Sequence, residues 1–134
     1  MTLDLVRLRR HPQPVGDVAT DAAAMRLYVM DAWVRDERVL VDRSGLRRTL
    51  YAAAHEGRAR VVGEAFHVFP NGAVTGVLVL AQSHLSIHTW PELALANVDL
   101  LTYGAVDGER VLAVVRKRLD AVRTNVDVVV RGSP

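Results

Sequence analysis

Asn71-Gly72 stands between two apolar runs, "ARVVGEAFHVF" (59–69) and "AVTGVLVLA" (73–81). Both residues tolerate the positive φ of a tight turn, so the pair, with Pro70 before it, marks an antiparallel hairpin. The other segments have to fit around that pairing. "RLYVMDAWV" (26–34), "HLSIHTW" (84–90), "LANVDLLTY" (95–103) and "VDVVV" (126–130) read as further strands. Two segments keep helical spacing instead. In "SGLRRTLYAAAHEG" (44–57), Leu46, Leu50 and Ala53 or Ala54 share one face, and Gly57 stands where a helix end takes a left-handed residue. In "DGERVLAVVRKRLDAVR" (107–123), Val111, Leu112, Val115, Leu119 and Val122 recur with basic residues opposite.

The order β-α-β-β-β-β-α-β predicts an α+β fold. It is a two-layer sandwich with a mostly antiparallel sheet and two helices on one face. The sheet's other face is left for solvent or a second subunit. The chain's 134 residues suit one domain, taken as 25–134 after a flexible extension over 1–24. "RLRRHPQP" (7–14) reads either as an arm for an anionic partner or as a solvated leader. Pro12 and Pro14 interrupt any helix there and favour the leader.

Composition removes several chemistries. There is no cysteine, which excludes disulfides, thiolate metal sites and cysteine nucleophiles. None of the five histidines pairs at i, i+4 on a helix beside a glutamate. His84 and His88 share a strand, where four residues span more than about 10 Å, so no metal is expected. The net charge of +2 gives no nucleic-acid footprint. No run of eighteen apolar residues and no signal-peptide core occurs, so no membrane partner and a cytoplasmic location are expected.

Residues 82–92, "QSHLSIHTWPE", put Ser83, His84, Ser86 and His88 into a strand, where such polarity fills a sheet face poorly. With "HVFPNGAVTGVLVL" before it and "NVDLLTYG" after it, this string resembles the small prokaryotic S-adenosylmethionine decarboxylases, from about Leu27 to the C-terminus. The string is long and unusual, whereas a lone Ser-His pair would carry no weight.

The resemblance implies a pyruvoyl-dependent carboxy-lyase of polyamine (spermidine) biosynthesis, made as a proenzyme that cuts its own backbone before a serine. The matching bond is Gln82–Ser83. The serine hydroxyl attacks the preceding carbonyl, the amide becomes an ester, and β-elimination gives dehydroalanine, which hydrolyses to a pyruvoyl group. His88 matches the histidine assigned as base for the elimination, and Thr75 a hydroxyl residue that assists processing and later catalysis. The pyruvoyl carbonyl forms a Schiff base with the substrate amine and drains electron density as carbon dioxide leaves, the role pyridoxal phosphate plays elsewhere. Neither that cofactor nor a metal is implied.

Phe69 matches the aromatic that stacks on adenine, Glu92 the acid that holds the ribose hydroxyls, and Asp31 an acid on the first strand near the substrate. Taken alone, Phe69 also reads as a core aromatic and Glu92 as a loop acid. An aspartate in an otherwise apolar strand points to function. Trp33 and Trp90 read as packing residues, His84 and Ser86 as strand decoration or support.

Along one extended strand, Thr75 and Ser83 lie roughly 26 Å apart at about 3.3 Å per residue. A two-fold dimer in which Thr75 of one chain approaches Ser83 of the other is the simpler solution. The resemblance implies the same homodimer with a shared active site.

Two positions depart from the family pattern. Gln82 replaces the usual glutamate before the cleaved serine, and Tyr103 replaces a cysteine that protonates the substrate's α-carbon. A tyrosine can be an acid, with a reference pKa near 10 against about 8.5 for cysteine, but it is bulkier. Tyr103 therefore admits three readings: a replacement proton donor, the mark of an L-arginine or L-ornithine decarboxylase, or the mark of a non-catalytic partner of an active paralogue. S-adenosylmethionine decarboxylation is placed first, because Phe69 and Glu92 suit a nucleoside.

Overall fold

The computed structural model describes residues 6–10 and 24–132. Among the described residues, seven strands form one sheet in the order β1-β7-β2-β6-β5-β4-β3. They are β1 (Val6–Arg10), β2 (Met25–Val34), β3 (Val61–Val68), β4 (Val74–Leu80), β5 (Ser83–Trp90), β6 (Leu95–Thr102) and β7 (Ala121–Arg131). From β7 to β3 every neighbour is antiparallel. Helices α1 (Arg43–Glu56) and α2 (Gly108–Arg118) cover one face, as the α+β reading expects.

Alternation along the strands separates the two faces. Tyr28, Met30, Ala32 and Val34 of β2 are buried, as are Ala96, Val98 and Leu100 of β6. They pack with Leu46, Leu50 and Ala53 of α1 and Val111 and Val115 of α2 in one apolar cluster. Each fully buried valine, leucine or methionine side chain there contributes about 1.5–3 kcal/mol relative to exposure. The intervening residues form an open face that no helix covers among the described residues.

Asp42 caps α1 by accepting from Gly45 N at 3.0 Å, and Asp107 caps α2 by accepting from Arg110 N at 3.1 Å. Three local expectations change. Gly57 has φ −87, and the left-handed residue is Arg58 at φ 62. Glycine is needed at 57 for a different reason: a Cβ there would lie 2.2 Å from Val111 Cγ2, so α2 passes hard against the end of α1. The second helix ends at Arg118, not 123, because Asp120 takes φ 53 and Ala121 already pairs with Val34 of β2. Finally, Val6–Arg10, inside the stretch expected to be flexible, pairs in parallel with β7 from Val6↔Thr124 to Arg10↔Val128. The rest of the basic stretch, 11–14, lies outside the described residues.

Glu64 of β3 ties the edge strand to α1. It accepts from Arg47 Nη2 at 2.8 Å and from the Tyr51 hydroxyl. The Arg47 hydrogen bond, then that of Tyr51, lowers its pKa from an ordinary 4.5 to about 2. The stabilisation from this cluster is complete above pH 4.5 and is lost as pH falls toward 2. Glu64→Gln should therefore flatten the pH dependence of the thermal midpoint across that window, which circular-dichroism melts at stepped pH would measure. An unchanged slope would remove Glu64 from the acid response.

Candidate active site

Two hairpins aim the polar residues. The first closes over 69–73: Phe69 N donates to Ala73 O, Gly72 N donates to Phe69 O, both at 2.8 Å, and Gly72 has φ 90. The second is tighter. Leu80 pairs with Ser83, leaving Ala81 and Gln82 as a two-residue loop in which Gln82 has φ 72. Glycine or asparagine is usual at such a position, so a glutamine there is held against its preference. Gln82 is exposed and Ser83 half-buried. The bond expected to be cut thus joins the left-handed residue of the turn to the first residue of β5.

On the open face, cross-strand register gathers one row of polar side chains: Asn125 of β7, Asp31 of β2, Asn97 of β6, His88 of β5, Thr75 of β4 and His67 of β3. Thr75 Oγ1 lies 3.0 Å from His88 Nδ1. Asn97 Nδ2 donates to Asp31 Oδ1 at 2.7 Å, and Trp90 Nε1 donates to Asn97 Oδ1 at 2.6 Å. Phe69 and Glu92 are exposed at the same end, Phe69 after β3 and Glu92 in the 3₁₀ turn Pro91–Leu93. The His67 ring meets Phe69 edge-on, with centroids 4.6 Å apart. Buried Thr89 braces this end: its hydroxyl accepts from Val74 N and donates to Leu40 O, both at 2.8 Å.

Ser83 is at the other end of the hairpin. Five residue steps along β5 take the chain from Ser83 to His88, roughly 17 Å at about 3.3 Å per residue. Near Ser83, residues Met25, Gln82, Leu101 and Tyr103 line a shallow depression of about 240 Å³, and Tyr103 is 42% exposed. A larger groove of about 900 Å³ runs over the helices past Glu56, Arg110 and Lys117 and contains none of the expected site residues. One chain therefore presents two half-sites separated along the β4–β5 hairpin: Gln82, Ser83 and Tyr103 at one end; Thr75, His88, Phe69, Glu92 and Asp31 toward the other. The doubling back at 81–82 does not join them.

Residues 26–132 match the family model described as S-adenosylmethionine decarboxylase. The chain belongs to that family. A protein named S-adenosylmethionine decarboxylase proenzyme from Methanococcus aeolicus is 35% identical over 106 residues, covering 78% of this chain and 91% of the relative. One of the same name from Thermotoga petrophila is 37% identical over 102 residues, covering 75% and 78%. The Pseudomonas aeruginosa relatives are 39% identical over 88 residues, and there the match spans 65% of this chain but only 55% of theirs. Among solved structures, an adenosylmethionine decarboxylase from Aquifex aeolicus superposes with a TM-score of 0.74 at 29% identity, covering 84% of this chain and 93% of that one. This S-adenosylmethionine decarboxylase family fold is the α+β sandwich the strand and helix pattern implies.

Asn97 and His67 are not singled out by sequence reasoning. Asn97 is legible in principle, since in "LANVDLLTY" it alternates with Asp99 on the face opposite Ala96 and Val98. His67 has only its place two residues before Phe69.

Proposed function

We propose that this chain is a self-processing S-adenosylmethionine decarboxylase whose Gln82–Ser83 bond is cut to leave a pyruvoyl group at the start of the fragment 83–134. The observation that carries the reading is Ser83 directly after a left-handed Gln82 in an exposed turn, within a chain of this family. The residues present fit such a group. A cut there leaves β4 hydrogen-bonded to β3 and β5, and β5 to β4 and β6, so the new terminus stays seated.

The Ser83 hydroxyl attacks the Gln82 carbonyl, and opening the turn releases the strain at Gln82. Gln82 contributes its carbonyl, so loss of the family glutamate's charge leaves the electrophile intact. His88, held by Thr75, removes the serine α-proton during elimination. A pyruvoyl group at position 83 would supply an electrophilic carbonyl for the substrate amine and an electron sink for decarboxylation, the chemistry pyridoxal phosphate supplies elsewhere. Phe69 stacks on the adenine, Glu92 holds the ribose hydroxyls and Asp31 faces the substrate's cationic end. Tyr103, beside Gln82, donates the proton to the α-carbon in place of cysteine.

His88 of one chain does not reach Ser83 of the same chain, so the working unit is a homodimer. Apposing two open faces about a two-fold axis lays the Ser83 end of one chain on the His88 end of the other. Leu27, Val29, Val77, Val79 and Leu101 alternate with the polar row on that face and give it apolar surface to bury.

Carbon dioxide release from S-adenosylmethionine, L-arginine and L-ornithine, measured side by side, tests the substrate. Release from S-adenosylmethionine alone is expected. Turnover of either amino acid instead would favour the alternative that the bulk of Tyr103 suggests. In the same assay Tyr103→Phe should lose roughly a hundredfold or more in kcat, the scale of a missing general acid.

A further inference from the structure

Asp31 is a half-buried carboxylate on the open face, and among the described residues no cation pairs with it. A carboxylate withdrawn from water needs hydrogen bonds and an opposite charge. Asn97 supplies one hydrogen bond, to Oδ1 at 2.7 Å. The orientation of its amide follows from its partners. The Trp90 indole can only donate and meets Asn97 Oδ1, while an Asp31 carboxyl oxygen accepts from Nδ2. Three adjacent strands are thus locked together at the chain of residues Asp31–Asn97–Trp90. Trp90 in turn leads directly into the 3₁₀ turn that bears Glu92. On the other side of Asn97, the Cα register puts His88 beside it.

We infer that Asn97 is a positioning residue for the substrate's charge: it fixes the Asp31 carboxylate with one oxygen left for the cationic group of the ligand, and fixes the Trp90 indole beside it. This inference rests on the reading above. An aliphatic residue at 97 would leave both the indole N–H and the carboxylate without a partner once the face is covered. An aspartate at 97 would set two carboxylates in contact. Asparagine satisfies donor and acceptor together while leaving a single negative charge for the ligand.

The test uses two ligands that share a nucleoside and differ in charge. S-adenosylmethionine carries a sulfonium and an ammonium, whereas 5′-methylthioadenosine carries neither. Asn97→Leu should raise KM for S-adenosylmethionine roughly tenfold, the size of one hydrogen bond to a charged group. The inhibition constant of 5′-methylthioadenosine, kcat and the rate of self-cleavage should stay near wild type. Asp31→Asn, which keeps the shape and removes the charge, should raise KM for S-adenosylmethionine without moving the inhibition constant of 5′-methylthioadenosine, even if Asn97→Leu folds poorly. A parallel rise for both ligands would make Asn97 a packing residue and overturn the inference, as would no change for either. A wild-type protein that neither processes nor turns over would overturn the underlying reading as well.

Discussion

Ser83→Ala should run as one unbroken chain on denaturing gels, while wild type separates into 1–82 and 83–134. Intact mass will check both, and Edman degradation of the smaller wild-type piece should be blocked. The expected effect is total, because alanine has no oxygen with which to attack the Gln82 carbonyl, and without the cut no carbonyl group is available for decarboxylation. The fold should be untouched, since Ser83 is half-buried at a strand start and makes no side-chain hydrogen bond to another described residue. Equal melting curves for the variant and the wild-type chain before processing would establish that. A wild-type chain that stays whole after long incubation would sink self-processing here.

The second large effect comes from mixing defects. Ser83→Ala and His88→Ala chains produced together should yield a pyruvoyl-blocked 83–134 fragment from the His88→Ala chain alone, whereas neither variant yields it by itself. The expectation follows from the roughly 17 Å of β5 between the two residues. A His88→Ala chain keeps its own Ser83 and borrows His88 from its partner. Random pairing makes about half of the dimers mixed, each with one complete site. Mass spectrometry distinguishes the fragments, because the loss of the imidazole in His88→Ala marks the chain of origin. If the mixture stays unprocessed while wild type processes, both halves of the site belong to one chain and the shared arrangement is wrong.

Much of the fold is legible because pattern and structure obey the same periods. Leu46, Leu50 and Ala53 face the sheet as their spacing requires, and Asn71-Gly72 turns the chain where expected. Spacing alone carries the second helix to 123, because Leu119 and Val122 continue the helical period. The sheet claims Ala121 onward, a tertiary demand that no local spacing reveals. The hairpin at 81–82 is illegible for a different reason: Ala-Gln carries none of the usual turn chemistry, and places that break local rules tend to be working ones. Of the candidate site, the residue types are readable through the family string. The row that joins Asp31, Asn97, His88 and Thr75 is not, because register between strands distant in sequence decides it.

The proposed cut has a consequence that lies in the strand order. The stretch 1–82 supplies β1, β2, β4 and β3, while 83–134 supplies β7, β6 and β5, and β2 lies between β6 and β7. The two products are woven through each other, so scission does not let them drift apart. It does change how the protein can recover from denaturation. Before the break, renaturing each subunit is a unimolecular search; afterwards two separate polymers must collide, and yield becomes dependent on dilution. Maturation would then close the route by which the molecule was first assembled.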